Sequence, residues 1–518
     1  MQMGQRQVAR AAVLVMAAFA ASRALGLVRQ MVMGAYYGTG PEMDAFVAAG
    51  RIPETIFLVV AGGALGSAFI PLFTSRLARK EIDGAWHLGS AIITILVALI
   101  LPISLLCIAI APWLVRVVVA PAMPLDVQAR TVALMRVMLL SPTIFGVSGV
   151  LMGILNAHQH FLLPALAPIV YNLGLILGAV WGGRTGLGAM GPAIGMVVGA
   201  TGHLLVQVPG LVRHKARYWP TLGRGDRGVF EVGVLITPRM LGVAAAQVNV
   251  LVITNLASRL GPDAISALNY AWMIMLLPQG VFAQAVGTAV FPTFSTQAAL
   301  GRTDELSHTL VNAIQMLIAL TIPASVGMVM LGEPIVATMF QRGAFDAGST
   351  QVVAAALAFF ALGLVGHSVL EVLGRAFFAL HNTWTPALTA GISVTLNALL
   401  GVVLPSVFVA AGASPLSGLA LAASLATMVE ATLLFFLLRR RLGGIPGRRL
   451  LQTTTRVGAA SVGMALALLA FRSNGPQSVT LQAFIGVPVG LVVYTGLAWI
   501  LRVDQLQLMV RMLARRVG

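Results

Sequence analysis

The sequence predicts an all-α polytopic membrane protein with about fourteen transmembrane helices. Hydrophobic residues make up 58% of the 518 residues and charged residues only 9%, whereas soluble domains carry about 25% charged residues. The mean hydropathy is +0.92. Only helices and closed barrels satisfy their backbone in lipid. The apolar runs here are long rather than alternating ten-residue segments, which favours helices.

The first apolar run has two possible interpretations. Arg6 and Arg10 precede it, as basic residues precede the apolar core of a signal peptide. The helical stretch continues through Arg23 and Arg29 to about Tyr36. We therefore interpret the run as a first spanning helix.

The remaining spans are read as runs of about 20 apolar residues between polar breaks. The predicted spans are 8–36, 43–75, 86–112, 127–155, 160–182, 188–212, 228–257, 263–296, 307–331, 349–379, 384–406, 414–438, 452–471 and 480–501.

Basic residues are distributed unevenly between the breaks. Breaks after even-numbered spans are rich in them, as at Arg79 and Lys80, Arg213 and Lys215, and the run 439–441. Breaks after odd-numbered spans mostly hold one arginine. The positive-inside rule then predicts that both termini are cytoplasmic. The formal net charge of +17 is thus explained mainly by basic residues in the predicted cytoplasmic loops. No nucleic-acid partner is expected.

The chain also repeats itself. Residues 66–74 resemble residues 287–295, an offset of 221 (287 minus 66), and residues 164–166 resemble 386–388 at an offset of 222 (386 minus 164). Such a repeat predicts two six-helix lobes plus two C-terminal helices around a central cavity. The predicted parts are an N-lobe over 1–222, a C-lobe over 223–442, and an extra helix pair with a cytoplasmic tail over 443–518.

Three arginines within spans are candidate phosphate ligands. Charges in the membrane are costly and mark functional sites by default. Arg23 and Arg29 are six residues apart, so they point about 120° apart around span 1, and Arg51 lies in span 2. A guanidinium can bind phosphate oxygens bidentately. The alternative is that these arginines reach the interface, or pair with Asp44 and Glu54 for packing.

Other residues are candidates for gating, coupling or structure. Pro53 and the Gly62–Gly63 pair would loosen span 2, although glycines also allow close helix packing. Further cavity or gating candidates are Asp44, Glu54 and Arg239.

Acids in the second half of the chain have two predicted roles. Glu430 could carry a coupling ion. Glu371 and Arg375, spaced i and i+4, predict a structural ion pair.

No enzyme signature is found. The two lysines, Lys80 and Lys215, lie in loops, and the eight histidines show no metal-binding pattern. The single cysteine, Cys107, lies in an apolar run. We expect a transporter without cofactor or metal, driven by membrane potential or an ion gradient.

An ordered set of motifs resembles the MurJ/MviN lipid II flippase family of the multidrug/oligosaccharidyl-lipid/polysaccharide exporter superfamily. The main matches are Ser22–Arg29, Met43–Phe46, Arg51–Pro53 and Gly63–Pro71. Supporting matches are Leu155–Asn156, Pro164–Ala165, Asn172, Gln247–Asn249, Ala267–Ala271, Leu277–Gly280 and Phe378–Pro386.

The resemblance implies a function and a cellular location. Members carry the undecaprenyl-pyrophosphate-linked peptidoglycan precursor, lipid II, from the inner to the outer leaflet of the bacterial cytoplasmic membrane. Their cationic N-lobe cavity is matched here by Arg23, Arg29 and Arg51, and their two extra helices form a groove for the lipid tail. Implied partners are lipid II, membrane lipids and cell-wall synthesis proteins.

The sequence departs from the family pattern at four positions. Gln30 and Gly62 stand where acids are common, and Phe57 and Met273 stand where arginines are common. Two alternatives therefore stay open. One is an exporter of another lipid-linked glycan or a drug, although a drug exporter would place acids at its cavity. The other is a non-transporting scaffold of the wall-synthesis complex.

Overall fold

The computed structural model describes residues 5–60 and 64–505, which are helical throughout except for short connections. The helices of the first part are α1 (Gln5–Tyr37), α2 (Pro41–Val60), α3 (Ala64–Ala78), α4 (Ile82–Ala109), α5 (Ala111–Trp113), α6 (Leu125–Met138), α7 (Ser141–Ala157), α8 (Leu162–Thr185), α9 (Met190–Leu205), α10 (Val208–Arg213) and α11 (Arg227–Ala257). Those of the second part are α12 (Ala264–Ala299), α13 (Thr303–Phe340), α14 (Ala347–Ala379), α15 (Trp384–Ala410), α16 (Pro415–Arg441), α17 (Gly447–Asn474) and α18 (Val479–Ile500). A π-helical turn, Leu114–Val119, follows α5.

The predicted all-helical membrane architecture is confirmed. Eleven helical stretches of the described residues are long and apolar enough to cross a membrane, or twelve when the bent helix α11 is counted. Each predicted span coincides with one helix or with two consecutive helices. The exact count of fourteen stays a prediction.

The chain forms two compact units. The first contains residues 1–265 together with Arg342–Phe345, and the second contains residues 266–341 and 346–518. Helix α11 thus belongs with the first unit, where it packs against α2, α3 and α4. These units reflect packing, and the lobe boundaries drawn from the repeat stay a prediction.

Helix α4 of the first unit has an exposed apolar face. Leu99, Leu105 and Leu106 are exposed by 42%, 54% and 60%. In water such an apolar face would be costly. In a bilayer it faces acyl chains, because lipid is as apolar as leucine.

Helices α8 and α9 of the first unit pack backbone to backbone. Gly174 and Gly178 of α8 face Gly191, Gly195 and Gly199 of α9. A methyl group added at Gly178 would lie 2.5 Å from the carbonyl oxygen of Gly191 and 2.8 Å from the Cα of Gly195. Small residues allow this approach, which side chains would prevent. We call these five glycines the glycine seam.

Side chains from α1 and α2 hold the turn between α8 and α9. The Tyr37 hydroxyl lies 2.9 Å from the carbonyl oxygen of Ala179 and 3.1 Å from that of Gly188. The Glu42 carboxylate accepts a hydrogen bond of 3.0 Å from the backbone N–H of Ala189. The start of α9 is therefore fixed relative to α1 and α2.

A bidentate ion pair connects the end of α3 to the start of α11. The Arg76 guanidinium donates to both carboxylate oxygens of Asp226, one bond measuring 2.8 Å. Asp226 also caps α11 by accepting a 2.8 Å bond from the N–H of Gly228. The hydrogen bond from Arg76 holds the pKa of the Asp226 carboxyl below its usual range. Both side chains are largely buried, at 19% and 14% exposed.

In the second unit, the C-terminal helix pair packs against α13. The Tyr494 hydroxyl of α18 donates to the carbonyl oxygen of Ala319 at 2.6 Å. The Gln315 amide donates to the Thr453 hydroxyl of α17 at 2.7 Å. Phe294, Leu310, Phe377, Leu434 and Met464 belong to the apolar core around these contacts. Helices α17 and α18 are therefore part of the second unit.

Candidate functional site

The candidate site lies where α1 packs on α8, and Glu54 of α2 is within electrostatic reach of α8 there. Arg29 of α1 is half-buried, and its Nη1 donates a 3.1 Å hydrogen bond to Oδ1 of Asn172 on α8. The two residues are 143 positions apart in the chain. Within the described residues, Arg29 makes no ion pair. Its partner is neutral, so the guanidinium keeps its full positive charge.

Arg51 of α2 has a different environment. Its Nη1 lies 3.6 Å from Oε2 of Glu54, and the two side chains are 17% and 53% exposed. The Thr55 hydroxyl donates to the Arg51 carbonyl oxygen at 2.7 Å. Arg51 therefore lies beside one of the two acids named in the alternative, and its role as a phosphate ligand stays a prediction. The pair has no net charge, whereas Arg29 contributes one positive charge.

A third side chain near these two groups is Tyr171. It precedes Asn172 on α8 and lies within electrostatic reach of both Arg29 and Glu54. Its ring meets the Phe145 ring edge-on at 4.9 Å, and Phe145 lies 5.2 Å from the Phe57 ring. The position at which the family often has another arginine, Phe57, is therefore filled by an aromatic cluster. A cavity less charged than in other family members stays a prediction.

The other predicted residues of the first unit are placed as follows. The Arg23 side chain of α1 is exposed, and Asp44 and Pro53 of α2 are buried. Gly62 and Gly63 lie outside the described residues. Arg239 lies on α11, but its side chain is outside the described part.

The predicted residues of the second unit form separate groups. Arg375 donates a 2.8 Å hydrogen bond to Glu371 and a 3.1 Å bond to Gln284 of α12. Glu430 of α16 is half-buried and hydrogen-bonded to Ser393 of α15. Glu371 and Arg375 thus form an ion pair within α14, and the bond to Gln284 connects Arg375 to α12. A coupling role for Glu430 stays a prediction.

Sequence reasoning missed two polar groups. Asn172 entered only as a motif match, although it holds the central arginine. A second group is buried between α7 and α9, where Ser148 lies 2.7 Å from both His203 Nδ1 and Gln207 Nε2. Neither pairing is local in sequence, so no periodic pattern signals it. Over residues 5–60 and 64–505, no cluster of three or more histidine, cysteine or acidic side chains could hold a metal ion.

Comparison with known proteins identifies the family. A family model described as lipid II flippase MurJ matches residues 33–487. Lipid II flippase MurJ of Burkholderia cenocepacia is 31% identical over 433 residues, which cover 81% of each chain. Probable lipid II flippase MurJ of Bdellovibrio bacteriovorus is 28% identical and covers 97% of this chain and 96% of its own.

Solved structures agree on the fold. A lipid II flippase MurJ in an inward closed conformation matches with a TM-score of 0.79 at 24% identity, covering 95% of this chain and 99% of that one. An inward-facing multidrug transporter of the MATE family in the MOP superfamily matches with a TM-score of 0.70 at 17% identity, covering 81% and 94%. The resemblance drawn from the motifs is confirmed, and this chain belongs to the lipid II flippase MurJ family.

Proposed function

We propose that this chain is a transporter that flips lipid II from the inner to the outer leaflet of the bacterial cytoplasmic membrane by alternating access. Family membership supports the cargo. The observation that carries the proposal at the level of residues is Arg29, a half-buried cation in α1 with a neutral partner. A diphosphate is the group that such a cation is suited to bind, because phosphate oxygens accept charge-assisted hydrogen bonds.

Three arginines would share the diphosphate. Arg29 has a net charge, Arg23 is exposed on the same helix, and Arg51 is held near Glu54. A guanidinium has a planar set of donors that matches the geometry of phosphate oxygens. The polyprenyl tail would stay in lipid while the headgroup crosses, because transferring its many methylene groups into water is costly.

The driving force and the surroundings are also part of the proposal. Membrane potential or an ion gradient would drive transport, since the sequence has no nucleotide-binding loop. The protein is a multi-pass inner-membrane protein. We propose cytoplasmic termini from the distribution of arginines. Membrane lipids and cell-wall synthesis proteins are the proposed further partners.

A rescue experiment tests the function. A bacterium depleted of its own lipid II flippase would express the intact chain, Arg29→Ala or Arg23→Ala, with lipid II at the outer leaflet as the readout. We expect the intact chain to restore exposure and Arg29→Ala to lower it at least about tenfold, the effect of losing roughly 1.4 kcal/mol of binding. Arg23→Ala should have a smaller effect.

The control is Arg184→Ala, which removes an exposed arginine at the end of α8. It should rescue like the intact chain at equal membrane abundance. If the intact, correctly inserted chain restores no exposure, the lipid II proposal fails. Another lipid-linked glycan, a drug, or a scaffolding role would then be the function to test.

A further inference from the structure

The Asn172 amide makes three hydrogen bonds, two of them to α1. Its Oδ1 accepts from Arg29 Nη1 at 3.1 Å, and its Nδ2 donates to the carbonyl oxygens of Pro168 at 3.0 Å and Ser22 at 3.5 Å. The side chain is 7% exposed. An asparagine amide offers two donors and one acceptor oxygen. Because both donors are engaged by carbonyl oxygens, the amide oxygen is oriented toward Arg29.

The contacts also fix the depth of the guanidinium along α1. Side chains on a helix point toward its N-terminus. The Arg29 side chain therefore extends back toward the level of Ser22, where the Asn172 amide contacts both. Ser22 precedes Arg23 in the chain. The Arg29 charge is thus displaced along α1 from its own backbone position toward the Arg23 end of the helix.

The chemical type of the side chain that binds Arg29 determines the net charge of the site. A guanidinium has five N–H donors, and Asn172 accepts from one nitrogen, Nη1, so other donors remain for an anion. A carboxylate in the same place would neutralise the arginine, as Glu54 does for Arg51. An amide oxygen holds the group without opposing its charge.

We propose that Asn172 is a positioning residue for diphosphate binding: it fixes the Arg29 guanidinium while leaving its positive charge for the substrate. This inference rests on the proposed function, because it takes the diphosphate of lipid II as the anion. Asn172 itself need not touch the cargo.

The test measures binding of lipid II to the purified full-length protein in nanodiscs at low and high salt. Asn172→Asp keeps the oxygen toward Arg29 but adds a negative charge. We expect about tenfold weaker binding and a weaker dependence on salt, because screened charge attraction is what the variant removes. Asn172→Leu, which keeps the size but loses the acceptor, should weaken binding less and keep the salt dependence.

A double-mutant cycle separates positioning from general structure. In an Arg29→Ala background, the neutral variant Asn172→Leu should cause no further loss of affinity, since coupled residues are non-additive. If Asn172→Leu weakens binding equally with and without Arg29, the residue does not act through Arg29 and the inference is wrong.

Asn255 provides a matched control. Its Oδ1 accepts from Arg259 Nη2 at 3.3 Å and its Nδ2 donates to the Val118 carbonyl oxygen at 2.8 Å. The same arrangement thus occurs at the end of α11, away from the candidate site. Asn255→Asp changes the net charge equally and should leave lipid II affinity unchanged. Equal losses from both aspartate variants would overturn the inference.

The remaining outcomes are also decisive. If Asn172→Leu weakens binding while Asn172→Asp does not, Asn172 supplies only an acceptor and the charge argument is wrong. If the intact protein does not bind lipid II, the proposed function fails first. If the intact protein binds and neither Asn172→Asp nor Asn172→Leu weakens binding, only the positioning role fails.

Discussion

Arginines in the described helices take three kinds of partner. Arg29 donates to a neutral amide, Arg51 lies beside a carboxylate, and Arg136 donates to the backbone carbonyl oxygen of Ile108 at 3.2 Å. Each arrangement compensates part of the cost of moving a cation out of water. Only the carboxylate cancels the charge. The partner, rather than the arginine alone, therefore decides which residue can attract an anion.

At the residue scale, the Arg76–Asp226 pair predicts a dependence on pH. The folded state holds the pKa of the Asp226 carboxyl below its ordinary value of about 3.9. Its contribution to stability is therefore present above that ordinary value and is lost as the pH falls through the lower, folded pKa. Asp226→Asn should lower the melting temperature at pH 7, and the difference from the intact chain should shrink at strongly acidic pH.

The Asp226→Asn variant isolates the charge, because asparagine is also a good helix N-cap. Asp83→Asn is the control. Asp83 lies 2.7 Å from Arg217, but the aspartate and arginine side chains are 74% and 59% exposed. Exposed pairs contribute little, so this variant should melt close to the intact chain. A loss for Asp226→Asn that persists unchanged at acidic pH would contradict the ion-pair explanation.

The sequence could identify Arg29 but not what holds it. An arginine in the middle of an apolar run can be recognised from the sequence, because its neighbours in the chain are all apolar. The contact with Asn172 spans 143 positions, and an asparagine in an apolar helix has no local signature for its partner. The i, i+3 contact between Arg51 and Glu54, by contrast, follows from helix spacing.

At the scale of elements, the glycine seam brings two helices closer than side chains permit. Without a strong hydrophobic force between helices in lipid, close packing of backbones is a main source of association. At the end of the seam, Tyr37 of α1 lies within hydrogen-bonding distance of the carbonyl oxygens of Ala179 and Gly188. Three helices are thereby held together around the α8–α9 turn.

The seam predicts an effect for a single methyl group. Gly178→Ala would place its Cβ 2.5 Å from a backbone oxygen that no side-chain rotation can move. Overpacking of this kind costs about 1–3 kcal/mol. We expect a lower melting temperature in detergent and a smaller folded fraction by size-exclusion chromatography.

Gly391→Ala is the matched variant, since a Cβ at Gly391 of α15 has no atom within 4 Å. Alanine is the better helix former by about 1 kcal/mol, so this variant should be as stable as the intact chain or slightly more so. Equal destabilisation by both variants would refute the packing role of the seam.

Elements were predictable where apolar runs end at polar breaks. The run 86–112 is α4 with a shift of a few residues, and the run 384–406 is α15. The run 127–155 contains two helices, α6 and α7, which meet near Leu139 and Leu140. Its hydropathy is continuous, so hydropathy could not locate that joint.

At the scale of the whole molecule, the internal repeat and the packing divide the chain differently. The repeat predicts a boundary near residue 222, whereas the compact units divide after Ile265. The difference is α11, which begins the second repeat and packs on helices of the first unit. A sequence repeat shows which segments of the chain correspond to each other, whereas the contacts show which helices pack together. The two therefore need not coincide.

The topology can be tested on the whole protein by labelling with a membrane-impermeant thiol reagent. In a Cys107→Ser background, Lys215→Cys lies after span 6 and Ser473→Cys lies after span 13. Cytoplasmic termini predict that intact spheroplasts label only the Ser473→Cys variant, and that the Lys215→Cys variant reacts after lysis. Labelling of the Lys215→Cys variant in intact spheroplasts would reverse the predicted orientation.

The glycine seam also has a mechanical consequence for the candidate site. Helices separated by side chains can slide, because rotamers absorb small shifts, but backbones in direct contact have nothing between them to deform. Helices α8 and α9 should therefore move as one rigid body. Asn172 lies on α8 just outside the glycine seam. Any displacement at the α8–α9 turn would reach Asn172 almost undiminished. Because Tyr37 and Asn172 both connect α1 to this helix pair, a displacement of the pair should carry the Arg29 guanidinium with it.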